Sequence, residues 1–520
     1  MSTVPPKSGP QAGPQATPQG ASSRQSRLAA RAPKGLKDTL GADVARLAAM
    51  TATIRNVYER FGFAPLETSA LEYVEVLGKF LPESDQPDAG IFALKDADEQ
   101  WIALRYDLTA PLSRFVAENS QSLPMPFRRY QLGPVWRNEK PGPGRFREFL
   151  QFDADTVGSS SMVADAENAA LLARAFDALG LVGQYRIAMN NRKILDGLLE
   201  KIGLGSAQGD PKAMTVMRAV DKFDKFGDAG VRLLLTTGRK DESGDFTKGA
   251  GLADDEATRI LDFMHAGKAT RKETLAALEP LVAGSARGEE GVRELAEIDA
   301  ILAAYGLADS QAAFDPGIVR GLAYYTGPVI EAQATFEIID EKGHKRQFGS
   351  IAGGGRYDGL VGRFMAKDMP ATGVSIGVDR LFAALTAAGK IAATAHDGPV
   401  LVTVFDKAHL PDYVRMAEEL RSVGIAAEVY AGDSGMKAQL KYADRRRSPL
   451  AIIAGSDEFA RGEVSIKDLA EGERLAASTA GNAEWRDKSR AQTTVPRVDL
   501  VAHVRAALRA SLRASPDKAH

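Results

Sequence analysis

The chain has 520 residues, enough for about three domains, and its 44% hydrophobic and 26% charged residues are ordinary for a soluble globular protein. The formal net charge of −2 gives no global positive field, so a nucleic-acid partner would require basic residues that are grouped locally. The absence of cysteine excludes disulfides, thiol nucleophiles and cysteine-based zinc sites, and the six histidines show no metal-ligand spacing. No apolar run approaches the roughly 18–20 residues of a membrane span.

The first segment, residues 1–30, is rich in Pro, Gln, Ser, Gly and Ala, and the first acidic residue of the chain is Asp38. Such a segment buries too little apolar surface to offset its ordering entropy, which predicts a disordered tail. Its Arg, Ser and lack of acids also fit a transit peptide. We favour the tail because Pro and Gly oppose an amphipathic helix.

Periodicity predicts the elements that follow. Apolar residues recur at helical spacing over 43–61, and a strand-rich region then extends to about Met189. Residues 190–310 have mainly helical patterns, and strand patterns return over 317–340. After a predicted linker at 396–399, strands alternate with helices, which predicts a small α/β domain. These strands are expected at 400–405, 426–430 and 450–454, and the helices at 411–422 and 436–446.

Residues 127–157 are predicted to form a long hairpin, because two strand-like runs flank the Pro-Gly-Pro-Gly turn signal at 141–144. Alternate residues of a strand point to opposite faces. One face of the second strand therefore carries Phe149, Gln151, Asp153 and Asp155. On the first strand, one face carries Gln131, Gly133, Val135, Arg137 and Glu139. Alone, this pattern is equally consistent with a sheet that has a solvated polar face.

Four further segments carry candidate site residues, and each also has a structural interpretation. In IALRYDLTAP (102–111), Asp107 could cap a helix whose first turn holds Pro111. In GIVRGLAYYTG (317–327), the tyrosines could be core residues of a strand. The Gly-rich run AGGGRYDG (352–359) is interpreted as a turn, either a phosphate cradle or a tight bend. In GVSIGVDRL (373–381), Arg380 could form a surface salt bridge with Asp379.

The hairpin sequence W-R-N-E, a turn and G-R-F-R-E-F-L-Q resembles the second signature of class II aminoacyl-tRNA synthetases, in particular their histidine branch. The four further segments resemble that branch's R-x-[DE]-x-T loop, its R-G-L-[DE]-Y-Y motif, its Gly-rich wall and the third class II signature. The resemblance covers about residues 33–470. It implies an α/β (α+β) fold: an antiparallel-sheet class II core, a helical insertion and a C-terminal mixed α/β anticodon-binding domain.

The resemblance implies the domain limits and the histidine site. The disordered tail is expected at 1–30, the catalytic core at 31–189 and 311–395, the helical insertion at 190–310, and the anticodon-binding domain with its C-terminal extension at 399–520. Asp107 and Thr109 would hold the α-ammonium of L-histidine, and Arg105 would line the site. The remaining contacts to histidine would come from Gln151, Asp155, Tyr324, Tyr325 and Tyr357.

The resemblance also implies the ATP site, whose catalytic residues would be Arg137, Arg320 and Arg380. Arg137 would bind the α-phosphate, since a planar guanidinium matches phosphate oxygens. Arg320 would stabilise the charge that develops there, and Arg380 would bind the γ-phosphate. Phe149 would stack on adenine and Glu139 would help to hold the base. Mg²⁺ commonly accompanies ATP, and Glu139 is one candidate ligand; the metal residues are otherwise unknown.

For tRNA, the resemblance implies acceptor-end contacts from Arg145 and Arg147 in the hairpin turn. It also implies anticodon-domain contacts from a basic cluster that contains Lys437, Lys441 and Arg445. Basic and aromatic residues suit unstacked RNA loops, although a charge run is more often a solvated helix face. The insertion at 190–310 would clasp the acceptor arm.

The implied activity is the ATP-dependent activation of L-histidine and its transfer to the 3′ end of tRNA(His), by a cytoplasmic homodimer with no membrane association. One alternative is a non-catalytic paralogue that regulates histidine biosynthesis and lacks the C-terminal domain. Another is an RNA-binding or signalling protein that borrowed the fold. Three positions depart from the family pattern: Ser69 where proline is usual, Ala323 where an acid is usual, and K-P-G-P-G-R in the hairpin turn.

Overall fold

The computed structural model describes residues 28–78, 90–141, 146–205, 209–240, 244–319, 325–339, 345–391, 398–469, 471 and 491–513. Nearly all of the predicted tail lies outside these described residues. Four residues singled out above, Arg145, Arg320, Ala323 and Tyr324, also lie outside them.

The helices of the described residues are α1 (Gly41–Arg60), α2 (Val74–Leu77), α3 (Thr109–Asn119), α4 (Met162–Ala178), α5 (Arg192–Lys201), α6 (Pro211–Val220), α7 (Phe223–Leu235), α8 (Asp254–Met264), α9 (Arg271–Val282), α10 (Ala286–Ala304), α11 (Gly359–Gly362), α12 (Val378–Ala387), α13 (Leu410–Ser422), α14 (Met436–Arg445), α15 (Ser456–Arg461) and α16 (Leu500–Arg513).

The strands are β1 (Ala64–Pro65), β2 (Leu71–Tyr73), β3 (Ala93–Lys95), β4 (Trp101–Leu104), β5 (Phe127–Trp136), β6 (Glu148–Val157), β7 (Tyr185–Asn191), β8 (Gly238–Lys240), β9 (Phe246–Lys248), β10 (Ala312–Phe314), β11 (Pro328–Ile339), β12 (Lys345–Arg356), β13 (Ala371–Gly377), β14 (Val400–Val402), β15 (Ala427–Val429), β16 (Leu450–Ile453), β17 (Glu463–Asp468) and β18 (Gln492–Pro496).

An eight-stranded sheet with the order β1-β5-β6-β13-β12-β11-β7-β10 forms the centre of the first part of the chain. Its inner strands pair antiparallel, and only the edge pairs β1–β5 and β7–β10 are parallel. The antiparallel core is therefore confirmed. The predicted hairpin is also confirmed, since β5 and β6 pair from Phe127 opposite Val157 to Trp136 opposite Glu148.

Helices α1 and α4 supply apolar side chains to the core beside this sheet. In α1, which matches the helix expected at 43–61, Ile54, Val57 and Tyr58 are buried. In β6, Phe152 and Ala154 belong to the same hydrophobic cluster. Because strand residues alternate, the side chains of the intervening β6 residues point to the opposite face, where the candidate site lies.

The Gly-rich run at 352–359 is not a turn, and that prediction is wrong. Residues Gly353, Gly354 and Gly355 lie in the interior of β12 and pair with both neighbouring strands. The strands approach so closely that a Cβ on Gly354 would lie 2.0 Å from the carbonyl oxygen of Gly373 on β13. Glycine is needed here because of this close approach and not because the chain reverses.

Residues 190–310 contain α5 to α10 and the small β8–β9 ribbon, as their mainly helical patterns predict. Their buried side chains belong to the same hydrophobic cluster as the eight-stranded sheet. Helices α5 and α10 pack closely, because a Cβ on Gly197 would lie 2.5 Å from the Cα of Gly288.

The C-terminal segment forms a mixed five-stranded sheet with the order β15-β14-β16-β17-β18. Helices α13 and α16 cover it, and Tyr413, Leu420 and Val504 are among the buried residues of its own core. The predicted alternation of strands and helices over 400–454 is confirmed. Within the described ranges, no helix is both long enough and apolar enough to cross a bilayer.

Candidate active site

A cavity of about 480 Å³ lies on the face of the eight-stranded sheet opposite the Phe152–Ala154 core face. It is lined by residues of β6, β12 and β13, of the segment that follows β5, of the loop before α3 and of the start of α12. With the exception of Arg105, the described residues that were expected to bind histidine or ATP line this one cavity: Asp107, Thr109, Arg137, Glu139, Phe149, Gln151, Asp155, Tyr325, Tyr357 and Arg380.

Asp107 lies at the start of α3, and the capping interpretation is confirmed. Its Oδ1 accepts hydrogen bonds from the backbone N–H groups of Thr109 (3.1 Å) and Ala110 (2.9 Å), and Pro111 lies in the first turn. Burial raises the pKa of this carboxyl, while the two backbone bonds and Arg137 oppose the rise. Asp107 also lines the cavity, so the cap presents a partly buried carboxyl group to a ligand.

Arg105 does not line the cavity, contrary to the expectation. Its buried guanidinium donates to the backbone oxygens of Pro134 (3.0 Å), Thr68 (2.8 Å) and Ser69 (3.3 Å). Gly133 leaves room for it, since a Cβ there would lie 2.5 Å from Nη2. Arg105 therefore ties the segment before β2 to the hairpin.

Arg137 is held between two aromatic rings at the end of β5. Its guanidinium carbon lies 5.1 Å from the ring centre of Phe149 and 5.4 Å from that of Tyr106. Its Nε donates to the backbone oxygen of Tyr106 at 3.2 Å. These contacts fix the plane of a cation at the cavity wall, which favours bidentate binding of an anion.

A buried arginine that the sequence analysis missed lies behind the cavity wall, against Asp155. Arg129 is fully buried, and its Nη2 lies 2.8 Å from Asp155 Oδ2 and donates to the Leu108 oxygen at 3.0 Å. Burial raises the pKa of Asp155, and Arg129 opposes that rise. Arg129 lies directly opposite Asp155 in the hairpin. Extending the polar face of the first strand back beyond Gln131 would have found it.

Two further contacts join the site residues across the sheet. The Tyr357 hydroxyl donates to Asp155 Oδ1, and burial raises the pKa of Tyr357 well above its usual value. Gln151 Nε2 donates to Ser375 Oγ at 2.7 Å. Ser375 and Asp153 also line the cavity, but sequence analysis gave neither a role.

The carboxylate of Asp379 joins three elements at the other end of the cavity. Its Oδ2 accepts from the Leu150 N–H at 2.7 Å, and its Oδ1 lies 2.9 Å from Lys37 Nζ. Asp379 is therefore paired with Lys37, and the neighbouring Arg380, in the first turn of α12, is exposed and donates to the Phe348 oxygen at 3.3 Å.

Arg147 lies where the hairpin strand meets the N-terminal segment. Its backbone N–H donates to the Gly35 oxygen at 2.8 Å, and its Nε donates to the Glu139 oxygen at 3.1 Å. The two N–H groups named here therefore donate to backbone oxygens, and the Arg147 carbonyl accepts from the Arg137 N–H at 2.8 Å. The role of Arg147 toward tRNA stays a prediction.

Replacing Gly373 with alanine should weaken the binding of a ligand at Asp155. A Cβ at this position would lie 2.0 Å from Asp155 Oδ1 and 2.6 Å from its Cγ, so the carboxylate must move. We expect the KM for the amino acid that the resemblance implies, histidine, to rise about tenfold or more, with a stability loss of about 1–3 kcal/mol from overpacking. Gly41→Ala is the control, because no described atom beyond its chain neighbours and the backbone of its own helix lies within 4 Å of the added Cβ. An unchanged KM would show that Asp155 does not need this position.

Two family models together match most of the chain. The model described as Histidyl-tRNA synthetase matches residues 35–381, and the model described as Anticodon binding domain matches residues 399–506. The chain belongs to the histidyl-tRNA synthetase family. The predicted resemblance is therefore confirmed, and members of this family are aminoacyl-tRNA synthetases, which use ATP as a substrate.

Similar proteins agree with this membership. A Histidine–tRNA ligase of Paracoccus denitrificans is 56% identical over 490 residues, covering 93% of this chain and 98% of the relative. A Histidine–tRNA ligase of Cereibacter sphaeroides is 54% identical over 486 residues, covering 92% of this chain and 97% of the relative. The crystal structure of histidyl-tRNA synthetase from Nostoc sp. PCC 7120 has a TM-score of 0.70 at 29% identity, covering 92% of this chain and all of that one.

The synthetase's anticodon-binding domain carries the predicted basic cluster on α14. Lys437, Lys441 and Arg445 follow one another at intervals of four residues, so they share one helix face, and all three are exposed. Tyr442 is 37% exposed and packs edge-on against Tyr430, with 5.4 Å between ring centres. The match to this domain argues against the regulatory paralogue, which was expected to lack it.

Proposed function

We propose that this synthetase activates L-histidine with ATP to give histidyl-adenylate, and then transfers the histidyl group to the 3′ end of tRNA(His). The observation that carries the proposal is the single cavity in which the described residues of the histidine and ATP motifs meet. In the first step, a histidine carboxylate oxygen attacks the α-phosphate and pyrophosphate leaves. In the second, the terminal ribose hydroxyl of tRNA attacks the adenylate carbonyl carbon and AMP leaves.

The amino-acid end of the cavity would recognise histidine by its donors. Asp107 and Thr109 would bind the α-ammonium, because a carboxylate and an ammonium form a charge-assisted hydrogen bond. Gln151 and Asp155 would accept hydrogen bonds from the remaining N–H groups. The imidazole slot would be walled by aromatic residues: Tyr324, Tyr325 and Tyr357.

The ATP end would bind the triphosphate with arginines. Arg137 lies beside Phe149, so adenine on that ring and the α-phosphate at the guanidinium fit one pose. Arg320 would supply a second cation at the α-phosphate, and Arg380 at the start of α12 would bind the γ-phosphate. Preorganised donors of this kind stabilise the charge of the transition state. Positioning and electrostatics would therefore supply most of the rate, without a covalent enzyme intermediate.

Mg²⁺ would enter the site with ATP. Among the described residues, no group of three or more acidic or histidine side chains could enclose a metal ion. The carboxylate of Glu139 lines the cavity, and Mg²⁺ typically takes one or two carboxylates together with substrate phosphates and water. Glu139 therefore fits as one ligand, and the ion would neutralise charge on the phosphate oxygens.

We assign the domains as their motifs suggest: a tail at 1–30, the catalytic core at 31–189 and 311–395, the insertion at 190–310, and the anticodon-binding domain with its extension at 399–520. The insertion and the hairpin-turn arginines Arg145 and Arg147 would contact the acceptor arm of the tRNA. Because the tRNA partner is in the cytoplasm, we also place the enzyme there.

Charge reversal on α14 should weaken tRNA binding and leave amino-acid activation intact. For Lys441→Glu we expect the KM for tRNA to rise several-fold, since each phosphate contact depends on a nearby cation. At high salt, the difference in the KM for tRNA between Lys441→Glu and the wild type should disappear. The rate of ATP–pyrophosphate exchange should be the same in both. Arg505→Glu, an exposed cation on α16 outside the cluster, is the control. If both variants raise the KM for tRNA equally, α14 is not a specific part of the tRNA-binding surface.

A homodimer is supported by an exposed apolar face on the small sheet β2-β4-β3. Leu71 (41% exposed), Tyr73 (49%) and Leu94 (49%) share this face, because the register places Leu71 beside Leu104 and both Tyr73 and Leu94 beside Ile102. In β2 the apolar side chains of Leu71 and Tyr73 are exposed, and the charged side chain between them, Glu72, is buried, which is the reverse of the usual pattern. An apolar patch of this kind marks an interface.

Ser69, at the position where the family usually has proline, contacts the first strand of this sheet. Its Oγ accepts a hydrogen bond from the Leu71 N–H at 3.2 Å. The apolar face therefore forms without the proline, and the Ser69 departure leaves the proposed interface in place.

The dimer is tested by a charge on that face. Tyr73→Asp should shift the protein from dimer to monomer in sedimentation equilibrium at micromolar concentration, because a buried unpaired carboxylate is unfavourable. Phe246→Asp, on the exposed ribbon strand β9, should leave the mass unchanged. A wild-type monomer, or a Tyr73→Asp dimer of undiminished affinity, would contradict the proposed interface.

The proposed function is tested by ATP–pyrophosphate exchange with the purified protein and each amino acid in turn. We expect exchange with histidine alone, and loss by several orders of magnitude in Arg320→Ala. A well-folded protein without exchange would overturn the proposal and would favour the regulatory paralogue.

A further inference from the structure

The proposed histidine end of the cavity contains a hydrogen-bonded chain of three polar side chains, of which only Gln151 has a proposed contact with histidine. Gln151 Nε2 donates to Ser375 Oγ at 2.7 Å, and the Ser375 hydroxyl donates to Asp153. Asp153 and Ser375 are direct neighbours on β6 and β13. All three side chains line the cavity, and those of Gln151 and Asp153 are buried.

The single proton of the Ser375 hydroxyl sets the direction of this chain. A serine hydroxyl has one donor and two acceptor positions. While Asp153 takes that proton, Ser375 can only accept from Gln151, so the amide NH₂ group of Gln151 faces Ser375. The amide oxygen of Gln151 then points away from Ser375.

The amide oxygen that results is buried and ready to accept. Within the part of the chain that the structure describes, Gln151 Oε1 accepts no hydrogen bond. A buried acceptor without a partner destabilises a protein by about 1–3 kcal/mol, so such an atom in a cavity wall points to a ligand N–H.

We propose that Asp153 is a positioning residue which, through Ser375, fixes the Gln151 amide with its oxygen toward the substrate and so sets the affinity for histidine. This inference rests on the proposed function, because it takes histidine as the ligand of this cavity. It gives separate roles to the two carboxylates of one strand face. Asp155, paired with Arg129 and Tyr357, binds the substrate directly, while Asp153 acts through its neighbours.

The surroundings of Asp153 allow it to change protonation near neutrality. Burial raises its pKa to about 7, with Asp155 and Asp107 adding to the rise, and Arg129 and the Ser375 hydrogen bond opposing it. Further ionisable groups that interact with Asp153 from neighbouring elements are Arg105 after β4, Tyr58 on α1 and Tyr357 after β12.

The protonation of Asp153 predicts how the affinity for histidine changes with pH. As pH falls below about 7, Asp153 takes up a proton and can itself donate to Ser375, which then donates to Gln151. The amide of Gln151 would turn its NH₂ toward the substrate. Histidine affinity should therefore fall on the acid side, while ATP affinity stays constant.

The test compares Asp153→Asn, which keeps size and shape, with Ser375→Ala, which removes the connection. We expect each to raise the KM for histidine about tenfold, with the KM for ATP within about twofold. The KM for histidine of Asp153→Asn, divided by that of the wild type, should fall as pH decreases from 8.5 to 6. The reason is that Asp153 of the wild type becomes protonated over this range and no longer accepts the Ser375 proton. This ratio also cancels the titration of histidine itself.

The double variant separates a chain from two independent contacts. If Asp153 acts through Ser375, Asp153→Asn/Ser375→Ala should bind histidine no worse than either single variant. Ser465→Ala is the control, since it removes a cross-strand hydroxyl bond to Thr494 (2.8 Å) in the C-terminal sheet. Exchange by this control should match the wild type.

Specific outcomes would overturn the inference. Single variants that fold and keep the wild-type KM for histidine from pH 6 to 8.5 would do so, as would fully additive effects in the double variant. Equal losses for histidine and ATP would indicate general damage and reject a positioning role. Where Asp153→Asn does not fold, Ser375→Ala alone decides. Absence of histidine-dependent exchange in the wild type would instead reject the proposed function on which the inference rests.

Discussion

Replacing Arg137 with alanine should lower histidine-dependent ATP–pyrophosphate exchange by about 100- to 1,000-fold, the usual effect of removing one preorganised donor from a developing negative charge. The guanidinium is held in plane by Phe149 and Tyr106 and anchored through Nε to the Tyr106 oxygen. Little reorganisation is then needed when the α-phosphate takes up charge. The loss should appear mainly in kcat, because the proposed contact between Arg137 and the α-phosphate would strengthen in the transition state.

Two comparisons make this prediction specific. Arg137→Lys keeps the charge but loses the planar fork, so it should recover only part of the rate. Arg128→Ala removes a cation from the opposite face of the same strand, where it pairs with Glu167 and lies over the Phe63 ring. That variant should lose some stability but keep its exchange rate per folded molecule. If Arg137→Ala retains more than about a tenth of the wild-type kcat, Arg137 does not stabilise charge on the α-phosphate.

For the hairpin, the sequence alone predicted which side chains share one face. Alternation along β5 and β6 placed Arg137, Phe149, Gln151 and Asp155 on one face, and these residues do line one cavity. The period of two is a local property, so it can be seen without knowing any contact. The motifs from distant parts of the chain then converge because β12 and β13 pair next to β6 in the same sheet.

The missed features depend on non-local contacts. Ser375 meets Asp153 through the register of β13 on β6, which a single sequence does not reveal. Alternation could have placed Arg129 on the polar face of β5, but its pairing with Asp155 depends on register as well. Arg105 was expected in the site, but its guanidinium binds three backbone oxygens. The glycines at 353–355 were interpreted as a turn because glycine serves both turns and close strand contacts, and only the neighbouring strand distinguishes them.

Replacing Arg129 with methionine should be the most destabilising change at the site. Arg129 is the fully buried cation that opposes the pKa rise of both Asp153 and Asp155. Removing one partner of a buried ion pair typically destabilises a protein by about 3–5 kcal/mol, because the remaining charge is left without compensation. We expect a loss of this size in urea denaturation at pH 8, together with loss of measurable histidine binding.

The pH dependence of that loss identifies its cause. Without Arg129, the pKa values of Asp153 and Asp155 in the folded protein should rise further above their unfolded values. The folded state then holds more protons than the unfolded state, so its stability must fall as pH rises through the folded pKa values. The difference between wild type and Arg129→Met should therefore be smallest near pH 5 and grow toward pH 8.

A second substitution provides the control for this experiment. Adding Asp155→Asn to Arg129→Met removes the charge that Arg129 contacts at 2.8 Å, so it should restore stability at pH 8 without restoring histidine binding. A stability difference that stays constant from pH 5 to 8 would show that lost packing around the long side chain, and not the uncompensated carboxylates, destabilises Arg129→Met. The pH series and the double variant together thus distinguish an electrostatic role of Arg129 from a purely steric one.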